Sequence, residues 1–332
     1  MKKTIHIAAT LLLLSGMVGC TKQIEFTGEE TDPMPVVVSF PEADSTFNVR
    51  LSYSRFFLTR DDFAPINDAS FSFEVNGNTP NIAVERTDEG VYHVPMALAA
   101  GDTMTMHLTI PGKKELTAGC RVPQAPEVTD VEVEPNIVID TFWWQRNYAD
   151  STVKLTASGN ASFKLVLHDP ASRGNYYAVR AYAIDSATGS RKSLNVSISD
   201  DLLYDVNVAD EIIEIASTDL SYGKQALFTD ERINGQNHTL EGEVYLYSNY
   251  DDSFDSTFTL QLQVCTITRD VYLYWATLKS QQDADGDFLF MTEPVQIHTN
   301  VTGGIGILGA VGPRRIDVVK VSFPSRIKDP RP

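Results

Sequence analysis

The sequence predicts an all-β protein of two β-sandwich domains: a small immunoglobulin-like one, then a larger sandwich with one packed helix. Three observations carry this expectation. Apolar and polar residues alternate with a period of two through most of the chain, as in Phe47-Asn48-Val49-Arg50-Leu51-Ser52-Tyr53 and Met104-Thr105-Met106-His107-Leu108-Thr109-Ile110. Turn residues punctuate these runs, among them Asn76-Gly77 after Phe71-Ser72-Phe73-Glu74-Val75, and Ala100-Gly101-Asp102. One segment breaks the pattern with helical spacing: after Asp270, a plausible N-cap, come Val271, Tyr274, Trp275, Leu278 and Gln282. Its apolar face should close one end or face of the larger sandwich.

The first residues, MKKTIHIAATLLLLSGMVGC, read as an address. Lys2 and Lys3 precede an apolar run from Ile5 to Leu14 with a polar break at Ser15. A spanning helix needs about 20 apolar residues, so this run reads as a secretory signal. Gly19 directly before Cys20 resembles a bacterial lipobox, with Met17 permissive at its first position. On that reading residues 1–19 are removed and Cys20 carries the lipid anchor. Two acyl chains already anchor stably. Residues 20–34 form a polar tether with Glu25, Glu29, Glu30 and Asp32. Attachment to the outer membrane is expected, with surface and periplasmic orientation both open.

Residues 35–122 carry strands with the number and spacing of an immunoglobulin-like sandwich. Pro123-Gln124-Ala125-Pro126 suits a semi-rigid linker. Residues 127–332 form the larger domain, with strand-like runs at Val128–Val133, Val153–Ala157, Phe163–Leu167, Tyr176–Ile184, Thr239–Tyr247 and Phe258–Thr268. Leu202 to Ile215 fits a short helix or strands. In Thr302-Gly303-Gly304-Ile305-Gly306-Ile307-Leu308-Gly309-Ala310 no helix signal follows, so the glycines read as close packing or a bulge, not a phosphate loop. Cys120 and Cys265 lie in strand-like segments of different domains. Two buried thiols are expected, and a disulfide stays open.

Lys plus Arg number 27 against 44 Asp plus Glu, a formal net charge of −17 that argues against nucleic-acid partners.

Several segments together resemble the Bacteroidota lipoprotein family known as domain of unknown function 4249. They are Val36-Val37-Val38-Ser39-Phe40, Val49 to Phe57, Phe228-Thr229-Asp230-Glu231-Arg232-Ile233-Asn234-Gly235-Gln236, Tyr272-Leu273-Tyr274 with Glu293-Pro294, and Thr299-Asn300 through Ala310. The resemblance implies an accessory lipoprotein at the outer membrane that helps a TonB-dependent receptor capture or admit a ligand. It implies no catalytic residues.

Read from the residues themselves, Asp283, Asp285 and Asp287 alternate on one short acidic loop, and with Glu293 they form a candidate Ca²⁺ site. The bland alternative is a solvated turn. No EF-hand spacing is present, because Gly286 and Pro294 fall in the wrong places. The five histidines after the signal form no ligand cluster, and no serine nucleophile elbow is present. Trp143 and Trp144 are expected on opposite faces of a strand, so one can meet a partner while the other enters the core. Beside the accessory-lipoprotein reading stand a surface adhesin or fimbria-associated protein and, third, a surface hydrolase.

Overall fold

The computed structural model describes residues 32–56, 62–147, 149, 151–199, 206–208, 225–247, 257–286, 296–322 and 326–328. In chain order the strands of the first part are β1 (Pro35–Ser39), β2 (Phe47–Tyr53), β3 (Ser70–Val75), β4 (Glu85–Asp88), β5 (Val91–Val94), β6 (Thr103–Thr109) and β7 (Leu116–Arg121). Then follow β8 (Glu127–Asn147), β9 (Thr152–His168), β10 (Tyr176–Asp185), β11 (Arg191–Ile198), β12 (Val206–Val208), β13 (Gln225–Thr229), β14 (Asn237–Tyr247) and β15 (Thr257–Ile267). A single described helix, α1 (Arg269–Gly286), precedes β16 (Ile305–Leu308), β17 (Val311–Ser322) and β18 (Arg326–Lys328). The protein is all-β, as its alternation predicts.

The N-terminal sandwich faces a sheet of order β16-β1-β2-β5-β4 with a sheet of order β3-β6-β7. Alternation decides which side chains meet between them. Val37, Val49 and Leu51 come from one sheet, and Phe73, Met104, Met106, Leu108, Leu116 and Ala118 from the other. Asn76 and Gly77 adopt positive φ of 51° and 77° in a tight turn after β3. The turn is closed by a single antiparallel bridge, Val75 opposite Asn78, and no named strand continues it beside β3. β3 pairs with β6, because the chain after the turn crosses to the other sheet as β4.

The larger unit is one long, curled sheet. β10 is its hub: β15 runs along one whole edge, while β13 and β11 share the other. β11 leads through β14 and β9 to β8, and β15 leads to β17. β17 comes up against β8, which brings the sheet close to a barrel. The runs expected separately at Val153–Ala157 and Phe163–Leu167 are one strand, β9. Odd-numbered residues of β10, from Tyr177 to Ala183, enter this unit's own core. Even-numbered residues face outwards, yet Ala178, Arg180 and Tyr182 are also buried. Something therefore covers the outer face.

That cover is the N-terminal sandwich together with α1, and the expected division at residues 123–126 needs a correction here. Residues beyond 126 were expected to belong wholly to the larger domain. Instead β16 pairs in parallel with β1, Val36 opposite Ile305 through Ser39 opposite Leu308. Val301, Leu308 and Ala310 sit in the N-terminal core. Short local runs cannot reveal which distant edge a four-residue strand will join. The linker is also no free spacer, since a Cβ at Gly312 of β17 would stand 2.4 Å from the Pro123 carbonyl oxygen.

The helix is capped by Thr268, two residues before the expected Asp270. Thr268 Oγ1 accepts the Val271 N–H at 3.4 Å, and Asp270 lies in the first turn. Val271, Trp275 and Leu278 are buried, as their spacing predicts. They do not simply close the larger unit. They meet Phe40 and Ile307 of the N-terminal part as well as Ala178, Leu227, Cys265 and Ile267 of the curled sheet. The Phe40 ring stacks on Trp275 with centroids 5.5 Å apart. The helix also runs on to Gly286, through residues expected to form a loop.

Two joints thus hold the parts together. The first is dry and centred on the glycine-rich segment. Gly306 has φ +114°, and a Cβ there would lie 1.9 Å from the Val37 carbonyl oxygen. A Cβ at Gly309 would lie 2.2 Å from Val271 Cγ2. These glycines let β16 slide between β1 and α1, the close-packing role expected for them. The second joint is charged. Arg180, its side chain 2% exposed, donates from Nη1 to Glu42 Oε1 at 3.2 Å and from Nε to Gln225 Oε1 at 3.0 Å. Arg315 of β17 donates to the other Glu42 oxygen. One carboxylate from the N-terminal part thereby binds two guanidiniums of the curled sheet.

Candidate functional site

Two strand ends on the curled sheet build a cleft. β9 ends at His168 and β13 at Thr229, and each is followed at once by an aspartate, Asp169 and Asp230. Both are buried. Asp230 accepts from the Gly174 amide at 3.0 and 3.2 Å and from Asn175 Nδ2 at 3.1 Å. Asp169 accepts from the Gly235 amide at 2.8 Å and from the Tyr177 hydroxyl at 2.5 Å. Asn175 also reaches Asp169 at 3.5 Å, so one amide side chain spans both carboxylates.

The local sequence explains this knot. Gly174 and Gly235 have φ of +91° and +70°, which turns their amides toward the acids at little steric cost. Ile233 sits between Asp230 and Gly235 and buries itself in the core. Its amide bonds the Asp230 carbonyl at 3.0 Å, and the Gln236 amide bonds the Ile233 carbonyl at 2.9 Å. Burial, then the hydrogen bond to Asp169, then the charges of Asp169 and Asp230 push the Tyr177 hydroxyl well above the ordinary phenol range. A phenol so placed stays protonated and keeps donating.

Above the knot opens a cleft of about 380 Å³, lined by Arg173, Tyr176, Thr229, Asp230, Glu231 and Asn234. Tyr176 leans on Tyr272 of α1, with ring centroids 5.1 Å apart. The lining offers an aromatic wall, a guanidinium and a carboxylate. Chemically it suits binding of a small polar group. The two deep aspartates are held by donors from the chain itself.

A second polar cluster lies at the start of α1. Asp270 faces His298 at 2.8 Å, while Asn300 Nδ2 donates to the Leu308 carbonyl at 2.8 Å and Asn300 Oδ1 accepts the Leu308 amide at 3.0 Å. Asn300 thus clips the glycine-rich segment into a loop.

The residues singled out from sequence fall elsewhere. Cys20, Asp287 and Glu293 lie outside the described residues. Asp283 and Asp285 belong to the last turns of α1, with side chains outside the description. Trp143 and Trp144 lie on β8, in a stretch where the ladder with β9 slips between Thr141 and Arg146. Their side chains are likewise outside the description. Among the described residues no group of three His, Cys, Asp or Glu is arranged to hold a metal ion. Cys120 and Cys265 are free and buried, each in a different cluster. Sequence reasoning missed Asp169, Asn175 and Tyr177 altogether. It quoted Asp230 and Gly235 without seeing what they hold.

These features define an all-β protein in which an N-terminal sandwich and a curled sheet share one helix and one returning strand. The chain belongs to the family described as domain of unknown function (DUF4249), whose profile matches residues 21–316. The match includes both the Asp169–Asp230 knot and the glycine joint. No curated protein matches the chain. Among solved structures it is similar to the adhesin InvE of Yersinia pseudotuberculosis, at 14% identity over 70% of this chain with a TM-score of 0.18. The similarity spans 55% of the InvE chain, and at that TM-score it carries no argument about function.

Proposed function

We propose that this protein is an accessory lipoprotein of the outer membrane, held there by acyl chains on Cys20, that assists a TonB-dependent β-barrel receptor in capturing or admitting a ligand. The observation that carries the reading is the lipobox-like Gly19-Cys20 after a short apolar run, with the family region beginning at the very next residue, 21. No described helix is long and apolar enough to cross a membrane. The cleft beside Tyr176 supports a binding role, because its deep carboxylates are engaged in holding two loops together. The reading involves no catalysis and needs no cofactor.

Two measurements test it. Cys20→Ser should block lipid attachment and abolish detergent-phase partitioning, since serine lacks the thiolate nucleophile; unchanged partitioning would refute the anchor. Affinity purification from detergent-solubilised outer membrane should bring down a β-barrel receptor. Recovery of fimbrial components instead would favour the adhesin reading, and reproducible recovery of neither would count heavily against the receptor. A calcium-dependent rise in melting temperature that Asp→Asn changes at 283, 285 and 287 abolish would add a cofactor to the account.

A further inference from the structure

The end of the N-terminal sandwich where the chain enters β1 differs from the rest of the surface. Three large apolar side chains are exposed among the described residues, and two of them, Met34 (44%) and Phe63 (36%), sit at this end. The backbone places them on either side of the same segment: Ser54 N–H bonds the Met34 carbonyl at 2.8 Å, and Tyr53 N–H bonds the Ala64 carbonyl at 2.8 Å. Cations cover the neighbouring rings. The Arg55 guanidinium lies 4.4 Å from the centre of the Phe63 ring. Lys113 Nζ lies 5.4 Å from the centre of the Tyr53 ring and 3.5 Å from the Pro33 carbonyl oxygen.

Among the described residues this end carries charges of both signs: Arg55, Lys113 and Lys114 beside Asp32, Asp62 and Glu115, with His107 holding Glu115 at 3.1 Å. A strongly acidic body is repelled by anionic headgroups everywhere except where its own cations offset the acids. Exposed apolar side chains interleaved with aromatic rings and long cationic ones are the composition that settles at a lipid–water interface, where the charged tips reach phosphate while their stems cover apolar surface.

The direction of the chain completes the argument. Residues 21–34 link Cys20 to β1 and end at Met34 itself. β1 then runs away from this end toward Phe40, which packs on α1. We propose that this end of the sandwich seats on the bilayer, with Met34 and Phe63 in the interfacial layer and Arg55 and Lys113 reaching lipid phosphates, so that the curled sheet and its cleft stand away from the membrane. This inference rests on anchoring at Cys20.

The test uses the full, lipidated chain with a single cysteine introduced as Met34→Cys, Phe63→Cys or Ala187→Cys, the last in an exposed turn of the curled sheet. Each is labelled at neutral pH with an environment-sensitive fluorophore. Cys120 and Cys265 are buried, and the chain without an introduced cysteine, labelled in parallel, gives their background. The protein is placed on vesicles of phosphatidylethanolamine and phosphatidylglycerol that carry a lipid-borne quencher. Quenching at 34 and 63 should exceed that at 187 by about twofold or more. Protein that floats with the vesicles but is quenched equally at all three positions overturns the seating and leaves the anchor standing. Failure to float removes the anchor, and the seating with it. A blue shift at 34 and 63 that is the same without vesicles and insensitive to the quencher would mean that the chain's own residues 21–31 cover this end, which also overturns the proposal.

Discussion

The two joints between the N-terminal sandwich and the curled sheet solve one problem by opposite physics. At the dry joint, Gly306 and Gly309 remove side chains so that β16 fits between β1 and α1. At the charged joint, Glu42 crosses from one part to bind Arg180 and Arg315 of the other. The dry joint gains from dispersion and burial and fails when any atom is added. The charged joint forfeits hydration of Arg180 and Glu42 and fails when either is removed. The first therefore fixes distance and the second fixes pairing. Together they hold the outer face of β10 against a partner that is distant in sequence.

The largest effect should come from adding one carbon to the dry joint. Gly306→Ala puts a methyl against backbone at a positive φ, where nothing flexible can yield. A loss beyond about 4 kcal/mol is expected, read as absence of soluble folded protein or a collapsed denaturant midpoint. Next comes the charged joint. Glu42→Gln leaves Arg180 and Arg315 facing each other without their shared anion, at a cost of about 3–5 kcal/mol in denaturant unfolding. A triple change to apolar residues of similar size should recover much of that loss, which distinguishes a pairing device from a source of net stability. Gly309→Ala should cost less, about 1–3 kcal/mol, because its clash is with the buried Val271 side chain rather than with backbone and Gly309 does not need a positive φ.

The smallest effect is set by pH. Cys265 sits in the helix cluster, and burial pushes its thiol up to about 11 from an ordinary 9.0. Between those values the unfolded chain releases the proton while the folded chain keeps it. Stability contributed by keeping this thiol neutral is whole below pH 9 and is lost as pH rises towards 11. The denaturant midpoint should fall across that window, less steeply in Cys265→Ala. An identical slope in the variant would remove the thiol from the account.

Local features were legible in the sequence and their partners were not. Alternation in β2 and β6 marked the strands, and the spacing of Val271, Trp275 and Leu278 marked the buried helix face, because each depends on neighbours within a few residues. The glycines of 303–309 were legible as close-packing residues, but Val37 and Val271, the groups they approach, were not. Asn76-Gly77 was legible as a turn, whereas the pairing of β3 with β6 was not. Glu42 and Arg180 carry no local signal at all, being separated by 138 positions. The cleft was half visible: the Asp230 to Gly235 segment stood out as a motif, and Asp169 was one acid among 44 acidic residues. The ligand-type residues chosen from composition, Asp283 through Glu293, lie where alternating acids suggested a loop, and α1 extends into that stretch.

The central structural claim is that the returning segment completes the N-terminal sandwich, so that residues 35–122 do not form an independent domain. A fragment of residues 32–126, studied by amide NMR and thermal unfolding, tests it most directly. Without Val301, Leu308 and Ala310 its core loses apolar contacts worth several times the roughly 1–3 kcal/mol of a single lost side chain, a large share of the roughly 5–15 kcal/mol that holds a domain folded. The account predicts collapsed, poorly dispersed spectra with no cooperative melt, and recovery of dispersion when a peptide of residues 298–312 is added. A fragment that is well dispersed and melts cooperatively by itself would contradict it.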